Sequence, residues 1–176
     1  KSEMVIHQCI KSIPDDIKII IVDNSNDETF KESIEKVYKN VKCILAPYNL
    51  GMGSGNNLGL KGVKTDYAFI INPDVTLHNN TIDEIINAQH KVESFALIAP
   101  ISSEENYPNY KLDKNQSINF ENDKPFEVKS VDGFAMMLNI KRLSKYDEFN
   151  NFNYFDENFF MYLENDDLCK RLNDHN

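Results

Sequence analysis

A chain of 176 residues is long enough for one domain with a sizeable core and short of two ordinary ones. Its 41% hydrophobic, 11% aromatic and 27% charged residues are the profile of a soluble globular protein and exclude a disordered one. The formal charge of -9 opposes nucleic acid as a partner, since backbone binding draws on clustered Lys and Arg, and no apolar run approaches the ~20 residues that span a bilayer.

In chain order, Lys1 to Ile13 carries Met4, Val5, Cys9, Ile10 and Ile13 at helical spacing, ended by Pro14. The first residues lack the apolar stretch of a secretory signal. Lys18 to Val22 reads as a strand, followed by a loop at Asp23 to Asp27 and a helix through about Tyr38; Val41 to Ala46 is the next strand. Tyr48 to Gly59 is a glycine and asparagine cluster, expected to let the backbone approach a ligand before a helix runs to about Val63. Asp66 to Ile71 reads as a buried strand, and Asn80 or Thr81 caps a helix whose Ile82, Ile85, Ile86 and Ala88 face the sheet. Phe95 to Ile101 is a further strand, and Ser102 to about Pro125 a long polar connection. Glu127 to Val131 and Phe134 to Leu138 are strands around Asp132-Gly133, Ile140 to Tyr146 is helical, and a helix starts at the acids Glu164, Asp166 and Asp167. No internal repeat is present. Cys9, Cys43 and Cys169, odd in number and without a CxxC spacing, fit a reduced cytoplasmic setting better than a disulfide framework; the four histidines are scattered.

Apolar strands alternating with helices imply a parallel sheet, whose ligands sit beyond the strand carboxyl ends. Two strands end on acids there, at Asp23 and, past a chain-breaking proline, at Asp74. Together they would make a polar cleft able to take a nucleotide and a divalent ion; equally, both acids suit the caps of the helices that follow.

Four segments in this order resemble the family 2 glycosyltransferases of the GT-A fold, especially the bacterial rhamnosyltransferase-like branch. They are Ile21-Val22-Asp23-Asn24-Ser25, Asn49-Leu50-Gly51 with Gly53 to Gly59, Asn72-Pro73-Asp74-Val75, and Val131-Asp132-Gly133 followed by Phe155-Asp156-Glu157 and Phe160 to Cys169. The resemblance implies an α/β Rossmann-like three-layer sandwich with a mostly parallel mixed sheet. It implies transfer of a sugar, rhamnose in this branch, with inversion from a dTDP- or UDP-linked donor to a surface glycan or lipid-linked acceptor. Asp23 and Asn24 would contact the base or ribose, and Asn49, Gly51, Gly53, Asn56 and Asn57 would line the nucleotide cleft. Asn72 and Asp74 stand at the metal motif, Asp74 alone offering a carboxylate to Mg2+ or Mn2+; Asp132 and Gly133 would approach the sugar or acceptor, a tight turn being the competing reading.

Relatives carry a base where this chain has Asn165, so Asp166 or Glu164, with Asp167 in the same cluster, would substitute, or the cluster is only an N-cap. Similar enzymes begin with a strand ahead of this chain's first helix and continue beyond its last, so residues 1–176 read as a single core truncated at both ends. The resemblance leaves room for attachment to the inner face of the cell membrane through such segments, and for a homo-oligomer. A catalytically silent nucleotide- or partner-binding module of the same fold is the alternative, and a nucleotidyltransferase shares the sheet and metal logic.

Overall fold

The computed structural model describes residues 3–92, 94–103, 107–118 and 124–175. Of the expected elements, Lys1 and Ser2 of the first helix and residues 104–106 and 119–123 of the polar connection lie outside the described residues.

Helix α1 (Glu3–Lys11) buries Ile6, Cys9 and Ile10, with Ile13 just beyond it, while Met4 is 89% exposed. Its inner face therefore starts at Ile6, not at Met4 and Val5 as the spacing suggested. Strand β1 (Ile19–Asp23) pairs in parallel with β2 (Val41–Leu45), Asp23 lying opposite Leu45. Between them runs α2 (Glu28–Val37), capped by Asp27, whose carboxylate accepts from the amides of Thr29 and Phe30 at 2.8 and 3.0 Å. Ile6 and Ile10 pack with Ile34, Val41 and Cys43 on this half of the molecule, whereas Cys9 and Ile13 pack with Leu77, Phe69 and Ile71 on the other. Helix α1 thus joins the two halves.

The second half is antiparallel. Strand β3 (Tyr67–Ile71) pairs with β7 (Ala135–Asn139), and β4 (Leu97–Ile98) lies on the other side of β7. Strands β5 (Tyr110–Lys111) and β6 (Ser130–Val131) form a short ribbon. Among the described residues the strands form three hydrogen-bonded sets, β1-β2, β3-β7-β4 and β5-β6, and parallel pairing is confined to the first, so the strands are mixed in direction but not mostly parallel as the sequence suggested. Among the described residues no strand pairs with β1 on its free side, and Ile19 to Asp23 are only half-buried despite their apolar sequence. Strand β7, flanked on both sides, has Ala135 to Leu138 buried.

Helix α3 (Gly51–Leu60) occupies the glycine and asparagine cluster itself, which the sequence suggested would be a loop. Glycine is a poor helix former, but it permits close packing. A Cβ at Gly59 would lie 3.1 Å from Val22 Cγ2, so the helix runs against β1 with no side chain between them. Helix α4 (Thr81–Gln89) buries Ile85 but leaves Ile86 41% exposed, so its inner face is narrower than expected. Helix α5 (Ile140–Leu143) is cut short and leads to a 3-10 helix at Asp147–Phe152. Helix α6 (Glu164–Asn173) then packs Leu168 and Leu172 into a core with Met136, Leu138, Phe149 and Phe155. Burying each such side chain stabilises by about 1.5–3 kcal/mol. The loops at the ends of β3, β6 and α6 therefore rest on the most buried part of the protein.

Candidate active site

Three short turns come together around the peptide that carries Asp132. The amide of Asn72, just past β3, donates to the Phe134 carbonyl at 2.8 Å, which ties the end of β3 to the start of β7. The side-chain amide of Asn165 donates to the Val131 carbonyl at 2.6 Å, which ties in the start of α6. A Cβ at Gly133 would lie 2.7 Å from Met52 Cε and 3.4 Å from Asn165 Cβ, so the bare backbone there admits the first turn of α3. That turn is bound in its own right to the end of β1, because the Asn24 side chain donates to the Gly51 carbonyl at 3.1 Å and accepts from the Leu50 amide at 3.3 Å. These contacts link Asn24, Gly51, Met52, Asn72, Gly133 and Asn165 along one rim, and Asp23, Asn49, Asp74 and Asp132 are carried on the same strand ends and turns.

The carboxylates on this rim are not equivalent. Asp23 accepts from the amide and hydroxyl of Ser25 at 3.1 and 2.7 Å and from the Asp27 amide at 2.8 Å. Burial alone would raise its pKa, but these hydrogen bonds outweigh burial and hold it below the usual 3.8. Asp166 is gripped by Lys111 Nζ at 2.7 and 2.9 Å. Burial again acts upward, and hydrogen bonds from Lys111 and Ser130 again hold its carboxyl low. Asp167 bonds Arg171 Nε at 2.7 Å, and the same guanidinium reaches Glu148, the Tyr154 carbonyl and the ring face of Phe149. Asp167 is thereby engaged in holding α6 on the 3-10 segment, a different job from the catalytic one expected. Glu164 is 3% exposed, with Oε2 buried and unpartnered. Asp74 and Asp132 make no side-chain hydrogen bond or ion pair among the described residues; Asp74 is exposed and Asp132 half-buried.

Not every residue expected to line the nucleotide cleft faces it. Asn57 is 1% exposed, donating to the Phe155 carbonyl at 2.8 Å and accepting from the Phe155 amide at 3.0 Å. It is a buried bracket, not a cleft residue. A Cβ at Gly53 would lie 3.2 Å from Phe155 Cβ, so this glycine also serves packing. Asn56 is half-buried and free of side-chain partners among the described residues. The first amides of α3 are occupied, Gly51 by Asn49 Oδ1 at 3.1 Å and Met52 by the Phe160 carbonyl at 3.2 Å. Sequence reasoning missed Lys111, which sits in the polar connection and pairs 55 residues away. It also missed Asn109, 1% exposed, whose side chain braces Pro100 and Ser102 while its carbonyl takes the Asp132 amide at 2.9 Å. A cavity of about 470 Å3 opens at the opposite end of β3, lined by Tyr67, Phe95, Lys141 and Arg142, and contains none of the motif residues.

Among the described residues no group of three or more His, Cys, Asp or Glu side chains could hold a metal ion. The rim offers instead an exposed hard-oxygen donor without a side-chain partner among the described residues, Asp74, two positions from Asn72. That set fits Mg2+ or Mn2+, which keep several waters and take one or two carboxylates together with phosphate oxygens.

The sequence matches the family described as Glycosyl transferase family 2 over residues 2–167. The chain belongs to that family. A relative, the low-salt glycan biosynthesis hexosyltransferase Agl10 of Haloferax volcanii, is 24% identical over 192 residues, covering 100% of this chain and 60% of its own. Solved structures of S. aureus TarS 1-349 share the GT-A fold. The unliganded protein superposes with a TM-score of 0.60 at 16% identity, covering 96% of this chain and 51% of TarS. The complex with UDP-GlcNAc gives 0.64 at 15% identity, covering 97% and 50%. This family 2 chain therefore spans between half and 60% of the length of these proteins.

Proposed function

We propose that the chain is the donor-binding and catalytic core of a glycosyltransferase that moves a hexosyl residue from a UDP- or dTDP-linked donor to a glycan or lipid-linked acceptor. The observation that carries this reading is the convergence of the β1, β3 and β6 ends and the starts of α3 and α6 on the peptide of Asp132. Family membership and the hexosyltransferase relative support transfer, and the complexes of TarS with UDP and UDP-GlcNAc support a nucleotide-linked donor. Rhamnose from dTDP-rhamnose, inversion at the anomeric carbon and a cytoplasmic site at the membrane face for a lipid-linked acceptor belong to the same proposal.

In this reading Asp23 and Asn56 hold the nucleoside, Asn24 fixes the start of α3 beside them, and Asp74 with Asn72 holds the divalent ion. When bound, that ion supplies the positive charge that stabilises the departing diphosphate. The charge must come from a ligand because the chain is acidic, Lys111 is paired with Asp166 and the first amides of α3 are taken. Calorimetric titration with UDP, dTDP and GDP, each with and without Mn2+, tests the proposal. The expected result is binding that tightens with Mn2+ and loses that dependence in Asp74→Ala; no binding to any of the three would sink it.

Asn165 favours a second reading, a catalytically silent nucleotide-binding module, because its amide is committed to the Val131 carbonyl and offers no base. Release of nucleoside diphosphate from a bound donor separates the two: turnover removes the silent module, and binding without turnover removes the enzyme.

A further inference from the structure

We propose that Asp132 is the general base that takes the proton of the acceptor hydroxyl. This assignment rests on the glycosyltransferase reading above, since only transfer to a hydroxyl calls for such a group. A base must be ionised, accessible and not already committed to another cation or donor. Asp23 spends both oxygens on Ser25 and Asp27. Asp166 is held by both of its oxygens on one ammonium, and Asp167 by the Arg171 guanidinium. Glu164 is 3% exposed, its Oε2 buried without a hydrogen-bond partner among the described residues, which leaves it less accessible than Asp132. Asp74 is the oxygen donor available to a metal. Of these rim acids Asp132 remains: half-buried, with a carboxylate unpaired among the described residues, on the turn where the rim's elements meet.

Its surroundings suit the role. The backbone is fixed by the Asp132 amide to Asn109 at 2.9 Å and by the Val131 carbonyl to Asn165 at 2.6 Å, so the carboxylate hangs from a braced peptide. Bare Gly133 follows it and lets Met52 and Asn165 pack directly against the turn, which fixes the peptide between the starts of α3 and α6. Lys111 lies opposite Ser130 on the β5-β6 ribbon, two positions from Asp132, and its ammonium is raised above its usual value chiefly by Asp166, with a smaller contribution from the charge of Asp132. In the step, the acceptor O–H gives its proton to Asp132 as its oxygen bonds to the anomeric carbon. The bond from that carbon to the diphosphate breaks, its electron pair leaving with the nucleoside diphosphate. Asp132 then returns the proton to water.

The test compares Asp132→Asn with Asp166→Asn and the unaltered protein, reading nucleotide affinity by calorimetry and turnover by nucleoside diphosphate release. Asp132→Asn should bind nucleotide as tightly as the unaltered protein while turnover falls by about 100- to 10,000-fold. Asp132→Ala should recover part of that loss in formate, a small external base, which a merely structural role would not allow. Asp166→Asn should lose less than Asp132→Asn. If the unaltered protein turns over and Asp132→Asn matches it, or loses nucleotide affinity in proportion to turnover, the assignment is overturned alone. If the unaltered protein binds no nucleotide, the donor reading falls and the assignment falls with it.

Discussion

Replacing Asn57 by Ala should destabilise the protein without acting on a ligand. In the native fold its amide group closes a two-way bond with the Phe155 backbone, 2.8 Å to the carbonyl and 3.0 Å from the amide, at a position 1% exposed. Alanine removes both partners and leaves a buried N–H and a buried C=O unsatisfied. Each such group costs about 1–3 kcal/mol, and the space vacated by the side chain adds to this, so the expected loss is about 3–5 kcal/mol. A domain of this size holds about 5–15 kcal/mol in all, so the variant should stay folded in the cold and melt about 6–20 °C lower. Urea unfolding gives the free energy directly, and nucleotide affinity at low temperature gives the second reading. A loss below about 1 kcal/mol together with weakened nucleotide binding would refute the bracket and return Asn57 to the cleft.

Three further outcomes follow from the same structure. Gly51 has φ +77° and a Cβ there would overlap the Phe160 carbonyl oxygen, so Gly51→Ala should cost about 2–4 kcal/mol in thermal or urea unfolding; an unchanged melting temperature would contradict it. Asp23 is held below its usual 3.8, so its contribution is fully present above that unfolded-state value and lost as pH falls through the lower folded-state value. The stability gap between the unaltered protein and Asp23→Asn should thus be present at neutral pH and close in acid, and a gap that widens there would reverse the sign. The Cys43 thiol is pushed up to about 11, first by burial and then by the charges of Asp23 and Glu35, so a thiolate-selective reagent should label it in the native protein only as fast as the fold opens. Fast labelling of Cys43 at neutral pH would show the site to be open.

The order of elements was legible because it rests on local signals: Pro14 ends α1, the acids at Asp23 and Asp74 follow apolar strands, and the acidic run at Glu164 opens α6. Strand partners were not, because β3 finds β7 across some 65 residues and nothing in either segment names the other. The glycine cluster misled for a related reason. Taken alone, Gly51 to Gly59 is a weak helix, and only contact with Val22, Asn24 and Phe155 turns the missing side chains into an advantage. The same contacts decide which asparagines remain available to a ligand: Asn24 and Asn57 are consumed in holding α3, and Asn56 is left.

The acids follow this logic too, and it changes where the chemistry is expected. By sequence the dense run Glu164 to Asp167 outweighs the lone Asp132. In the fold that run is drawn off by Lys111, by Arg171 and into the core, since carboxylates on consecutive helical positions point in different directions and meet different neighbours. Asp132 keeps its carboxylate uncommitted because it sits between two strands on a turn that is held through its own main-chain groups, by the Asn109 carbonyl, the Asn72 amide and the Asn165 side chain. An acid's availability is thus set by what its neighbours leave unpaired, and at this rim the backbone of Val131, Asp132 and Phe134 does the structural work that elsewhere is done by carboxylates.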